Sequence, residues 1–180
     1  PRLEKFSSLI ENYDFDKLEV IETIEFPSPY NWKVLVENFM EAYHHIGTHK
    51  NTFQPVYPAK DSFVEYERNE PWLMLRMPGI HEEDGINVFP KLEGKQVDEL
   101  FAACVYPTLL FAASASGGFW YQLEPGSEDQ MRLRIHALAF PEVAENMDEE
   151  SREMLKAGVT MIHQEDIEAN EGVWKGLQAG

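Results

Sequence analysis

The segment Glu41-Ala-Tyr-His-His-Ile-Gly-Thr-His49 packs three histidines and a carboxylate into nine residues. Neutral imidazole is the commonest protein metal ligand, so this density points to a metal site. Two pairings compete. On an unbroken helix His45 and His49, four apart, share one face. His44 and His49 are five apart, about 140° out of phase, and converge only where the helix bends or ends between them. Gly47 permits such an end. Spacing alone slightly favours His45 with His49.

A second segment runs Ile162-His-Gln-Glu-Asp166-Ile-Glu-Ala-Asn-Glu-Gly-Val173. Read as a helix, it carries an apolar stripe through Ile162, Ala169, Val173 and Leu177, and Asp166 falls within that stripe. A buried carboxylate is costly unless something positive or hydrogen-bonding meets it. A metal ion would meet that need. Glu165 and Glu168 are expected to point elsewhere and stay solvated. Two histidines and one carboxylate with open coordination positions form the facial triad of non-haem Fe(II) oxygenases. Zinc accepts the same donor types, so a zinc hydrolase is a rival. The helical zinc signature His-Glu-x-x-His is absent. His81, His136 and His163 have no comparable partners nearby in sequence and read as structural or surface residues.

These residues need elements to position them. A strand is predicted over Leu18–Phe26, ending at Pro27 and Pro29. Asn31 then caps a helix whose apolar stripe is Trp32, Leu35, Val36, Phe39, Tyr43 and Ile46, with Gly47 at its end. Residues 50–61 read as loop. Strands are predicted at Ser62–Arg68 and Trp72–Met77, and residues 78–100 as a long surface excursion. Further strands are predicted at Leu109–Ala115, Phe119–Leu123 and Met131–Phe140. The last alternates Met131, Leu133, Ile135, Ala137 and Ala139 against Arg132, Arg134 and His136. Helical pattern fills Glu142–Leu177. The order is α+β, with an antiparallel sheet wrapped around a helix.

Composition bounds the partners. The 180 residues fit one domain, and the formal net charge is −17. That charge repels nucleic acid and anionic membrane surfaces. No apolar run is long enough to span a bilayer. The lone Cys104 lies in the apolar run Phe101–Tyr106, and one cysteine excludes an internal disulfide framework. It reads as a buried structural thiol, and such cysteine usage suits a reducing cytoplasm. The chain opens on Pro1 and stops directly after a helical pattern, so both ends are expected to be cuts through a longer protein.

Asn31-Trp-Lys33, Glu37-Asn38-Phe39 and Glu41-Ala-Tyr-His44 with His49 together resemble the catalytic domain of Rieske-type ring-hydroxylating oxygenase alpha subunits. Gln164-Glu165-Asp166-Ile167, followed by Glu171 and Gly176-Leu177, is similar to that family's third-ligand segment. Tyr106-Pro107 with Leu109–Phe111, and Phe140-Pro141, also match, so the resemblance spans nearly the whole chain. It implies a helix-grip fold and a mononuclear Fe(II) held by His44, His49 and Asp166, with His45 a neighbour. It implies a role near the iron for Asn38.

Glu41 stands where the resemblance implies an acid that bridges an iron-ligating histidine to the cluster of a neighbouring subunit. That acid is usually Asp, and Glu occurs in a subset that includes carnitine oxygenase-like enzymes. The resemblance further implies a small, aromatic or quaternary ammonium substrate, dioxygen, a reductase or ferredoxin donor, and a homotrimer when full length. A Rieske [2Fe–2S] cluster needs two cysteines and two histidines. It is therefore expected on a domain preceding Pro1 or on a partner, leaving this chain without an electron route. The helix-grip shape also serves metal-free small-ligand carriers, which is the other rival.

Overall fold

The computed structural model describes residues 2–80 and 89–180. Seven strands form one antiparallel sheet: β1 (Glu19–Ser28), β2 (Phe63–Tyr66), β3 (Trp72–Pro78), β4 (Glu99–Val105), β5 (Leu109–Ser114), β6 (Gly117–Pro125) and β7 (Met131–Ala139). Their order is β1-β7-β6-β5-β4-β3-β2. Among the described residues the sheet is joined by four α-helices, α1 (Glu4–Ile10), α2 (Trp32–Phe39), α3 (Pro141–Asn146) and α4 (Glu149–Gln178), and by five short 3₁₀ turns. The architecture is α+β in the helix-grip form, with the 30-residue α4 lying against α2 and β1.

The alternation read in β7 holds. Met131, Leu133, Ile135, Ala137 and Ala139 are buried while the residues between them are not. β1 runs through Pro27 to Ser28 rather than stopping before it. It is an edge strand, paired only with β7, and an edge can lack one ladder N–H. β4 was hidden inside the apolar run and the predicted excursion. It sits mid-sheet and is buried on both faces, so it shows no alternation. Phe101 and Ala103 pack with Trp72, Met74 and Phe111 on one face. Ala102 and Cys104 pack with Leu75, Met77 and Leu110 on the other. Cys104 is the expected buried thiol, pushed up to about 11 by burial.

α1 was not predicted from sequence. Its Phe6 packs against Trp72, with ring centroids 5.4 Å apart, and covers the first of those faces. The predicted C-terminal helix is two helices, α3 and α4, separated at Met147 and Asp148. Asp148 caps α4 by accepting the Ser151 N–H at 2.8 Å.

α2 is shorter than its apolar stripe suggested. It ends at Phe39, and a 3₁₀ turn covers Tyr43–Ile46. Tyr43 is 82% exposed and Ile46 55%, so neither belongs to the buried face. The break lies at Met40–Ala42 rather than at Gly47. There the Glu41 carboxylate accepts the backbone N–H groups of Tyr43 and His44 and starts a new turn.

Candidate metal centre

The short helix and the turn after it aim two rings at α4. His44 lies in the 3₁₀ turn, and its carbonyl accepts the Thr48 N–H at 2.7 Å. That tight turn brings His49 round to the same side. The His44 and His49 ring centroids are 5.0 Å apart, at 69° to one another. Opposite them on α4, Asp166 Oδ1 lies 3.0 Å from His49 Nε2 and 3.6 Å from His44 Nε2. One donor atom from each of His44, His49 and Asp166 lies within 4.8 Å of the other two.

The outward nitrogens explain why the inward ones are available. His44 Nδ1 lies 2.6 Å from Glu41 Oε1. His49 Nδ1 lies 2.7 Å from Glu165 Oε2, which also accepts the Thr52 hydroxyl at 2.7 Å. A carboxylate can only accept, so each Nδ1 carries the proton. Each Nε2 can then present its lone pair to the space beside Asp166. Carboxylate–imidazole pairs of this kind fix the tautomer and ring orientation of metal-binding histidines.

The electrostatics favour a cation. Burial raises the Asp166 pKa, but the His163 and His49 imidazoles that face it more than offset this and hold the carboxyl well below its usual range. Burial opposes charge on His49, yet Asp166 and Glu165 more than offset that and raise its pKa. For Glu41 burial is likewise outweighed by His44, and its pKa is lowered. A positive charge is thus wanted between His49 and Asp166, whether a proton or a metal ion supplies it.

The other sequence-predicted residues distribute as follows. His45 is buried, with Nδ1 facing the Tyr57 carbonyl at 3.3 Å and its ring stacked on Phe53. Burial, helped by His44, lowers it to about 4, so this ring is neutral. Asn38 lines the cavity beside the centre, while its backbone carbonyl receives the Glu41 N–H. His136 lies away from it, between Thr23 and Gln122 and stacked on Trp120. His81 lies outside the described residues.

Two readings of the second segment, Glu165 and the course of the apolar stripe, differ in the structure. Glu165 is not turned to solvent but bonded to His49 and Thr52. His163 falls on the structural side of its reading, buried with Nδ1 3.7 Å from Asp166 Oδ2. The buried stripe of α4 is His163, Ile167 and Asn170, while Val173 and Leu177 are exposed. Ile162 and Asp166 of the predicted stripe do line the cavity, and only its continuation to Val173 and Leu177 fails. The three-residue step from His163 to Asp166 was the available signal for their approach.

The centre opens into a cavity of about 360 Å³ between the sheet, α2 and α4. That volume suits a small organic ligand. Its walls include Leu35, Phe39, Phe119, Tyr121, Ile135 and Val159. Phe39 and Tyr121 meet edge-on, 4.7 Å between centroids.

Residues 15–180 match the family model described as the ring-hydroxylating alpha subunit, catalytic domain. The chain belongs to this family. It is thus a catalytic domain of the Rieske oxygenase alpha-subunit type. Among curated proteins, no sequence match was found.

Solved structures with this fold include the quaternary ammonium Rieske monooxygenase CntA in complex with an inhibitor. That match has a TM-score of 0.77 and 16% identity, covering 98% of this chain and 45% of that one. A quaternary ammonium Rieske monooxygenase described for carnitine oxidation by gut microbiota matches with TM-score 0.77 and 19% identity, covering 98% and 46%. Naphthalene 1,2-dioxygenase from Rhodococcus sp., bound to indole, matches with TM-score 0.68 and 14% identity, covering 97% and 48%. This chain spans less than half the length of these structures. Among the described residues no helix is long and apolar enough to cross a membrane.

Proposed function

We propose that the domain holds a mononuclear Fe(II) with His44, His49 and Asp166 and oxygenates a small substrate bound in the adjoining cavity. The observation that carries this is the pairing of both Nδ1 atoms with carboxylates, Glu41 and Glu165, which leaves both Nε2 atoms facing Asp166. Two nitrogens and one carboxylate oxygen suit ferrous iron and leave positions open. When bound, iron supplies the activation of dioxygen. The protein supplies orientation, binding and exclusion of water. Glu41 and Glu165 hold the Nδ1 protons and set the ring planes. Asp166 supplies the anionic donor. The cavity wall, largely aliphatic and aromatic, holds the substrate against the centre.

Oxygenation draws electrons from outside this chain. One cysteine cannot ligate a Rieske cluster, so the cluster belongs to a further domain or partner, fed by a reductase or ferredoxin. The Glu41 side chain is 42% exposed while bonded to His44, which suits a relay toward a cluster on a neighbouring subunit of a homotrimer.

The cavity also bears on the substrate. Its described lining includes no Lys or Arg, and residues 81–88 contain none. An uncharged, apolar molecule suits these walls. Aromatic faces can also meet a quaternary ammonium group. Among the described lining residues, no Lys or Arg stands ready to pair with a substrate carboxylate such as that of carnitine.

Anaerobic titration with Fe(II), with zinc as competitor, tests the reading. One ion per chain is expected, with binding lost in His44→Ala, His49→Ala and Asp166→Ala. Equal binding by wild type and all three variants would overturn it.

A further inference from the structure

We infer that His163 is a positioning residue for Asp166, holding one carboxylate oxygen so that the other alone faces His44 and His49. The inference rests on the metal-centre reading above. His163 stands one helical turn before Asp166 and is 3% exposed. Its Nδ1 lies 3.7 Å from Asp166 Oδ2. The opposite oxygen, Oδ1, is the one near His49 Nε2 and His44 Nε2, at 3.0 and 3.6 Å. The two oxygens of one carboxylate therefore face different imidazoles.

The state of the ring follows from its surroundings. His163 packs edge-on to Phe26, with centroids 4.5 Å apart, which restrains its plane. Its Nε2 is buried and has no hydrogen-bond partner among the described residues. An orphaned buried N–H is rarer than an under-satisfied acceptor. The proton therefore belongs on Nδ1, pointing at Oδ2, and Nε2 is left as a bare lone pair. The 3.7 Å separation is longer than a formed hydrogen bond. A shift of about 0.7 Å would bring it to ordinary N–H···O length.

The consequence concerns coordination. A carboxylate free to rotate can offer a metal both oxygens and occupy two positions. With Oδ2 directed at His163, Asp166 offers Oδ1 alone, and one more position stays open for small ligands. Outer groups of this kind commonly control metal sites through the ligands they touch. His163 acts here only through Asp166.

Mn(II) is a suitable probe, because solvent-proton relaxation reports how many exchanging waters the bound ion keeps. Wild type, His163→Phe and His163→Asn are compared after Mn(II) stoichiometry has been measured by electron paramagnetic resonance. The Asn amide can place an N–H where Nδ1 stands. His163→Phe is expected to lose one exchanging water as Oδ2 turns to the ion, and His163→Asn to match wild type. His163→Leu repeats the apolar test should the Phe variant not fold. An unchanged water count in the apolar variant, or a loss in His163→Asn equal to it, would overturn the role of His163 while leaving the centre intact. Wild type that binds Mn(II) no better than His44→Ala would overturn the centre, and this inference with it.

Discussion

Removing the Glu165 carboxylate should loosen the proposed metal centre from behind, without touching His44 Nε2, His49 Nε2 or Asp166 Oδ1. Glu165 Oε2 accepts from His49 Nδ1 and from the Thr52 hydroxyl, each at 2.7 Å. In Glu165→Ala the His49 Nδ1–H loses its acceptor inside a ring that is 1% exposed. An orphaned buried donor costs about 1–3 kcal/mol, and loss of the Thr52 bond adds roughly 1 kcal/mol. The Glu165 side chain is 30% exposed, so water can replace part of what is lost. A destabilisation of about 1–3 kcal/mol is therefore expected. For a chain of this size each 1 kcal/mol lowers the melting temperature by about 2–4 °C. The metal effect is separate. The ring is no longer held in one orientation, and affinity should fall by about 10–100-fold. Anaerobic Fe(II) titration and thermal melts of wild type, Glu165→Ala, Glu165→Gln and Thr52→Val read both quantities. Glu165→Gln keeps an acceptor and should fall between wild type and Ala. Thr52→Val should show a smaller loss than Glu165→Ala. A dissociation constant for Glu165→Ala within about threefold of wild type, well short of the expected loss of about 10–100-fold, would show that Glu165 does not orient the His49 ring for a metal.

Three further outcomes follow from the same geometry. The His49 pKa is raised in the folded protein, so its stabilising contribution is present at pH below 6.5 and is lost as pH rises through the raised value. Metal-free protein should therefore lose melting temperature on that alkaline side while metal-saturated protein should not, as the ion replaces the proton; parallel curves would contradict this. Apparent metal affinity should fall below the raised His49 pKa, by about tenfold per pH unit for one competing proton, and a flat profile from pH 6 to 8 would contradict it. Trp72→Ala, at a ring 1% exposed against Phe6, should cost about 3–5 kcal/mol by chemical denaturation, and a cost below about 1 kcal/mol would show that α1 does not close this face.

How much of this was legible in the residues depended on what covers each element. β7 alternates because its faces differ in burial, and it was read correctly. β4 was missed because packing covers both its faces, which erases period two. α2 was drawn too long because Tyr43 and Ile46 continue its apolar spacing past the break, although both point outward. What stops the helix is a side-chain-to-backbone bond from Glu41, which periodicity does not register. On α4 the convergence of Asp166 with the two rings depends on a helix face whose buried positions include His163 and Asn170. The apolar stripe places Ile162 and Asp166 on the cavity side, as the fold has them, but its continuation to Val173 and Leu177 is left exposed. Glu165 was unreadable for a related reason. Its partners, His49 and Thr52, lie more than a hundred residues away in sequence.

A ferrous ion between two imidazoles and one carboxylate of this domain can be located directly. The most direct measurement is anomalous diffraction at the iron edge from crystals loaded anaerobically with Fe(II). A single strong peak is expected, bounded by His44 Nε2, His49 Nε2 and Asp166 Oδ1. Loaded crystals with no peak there, or with iron held by other residues, would contradict it.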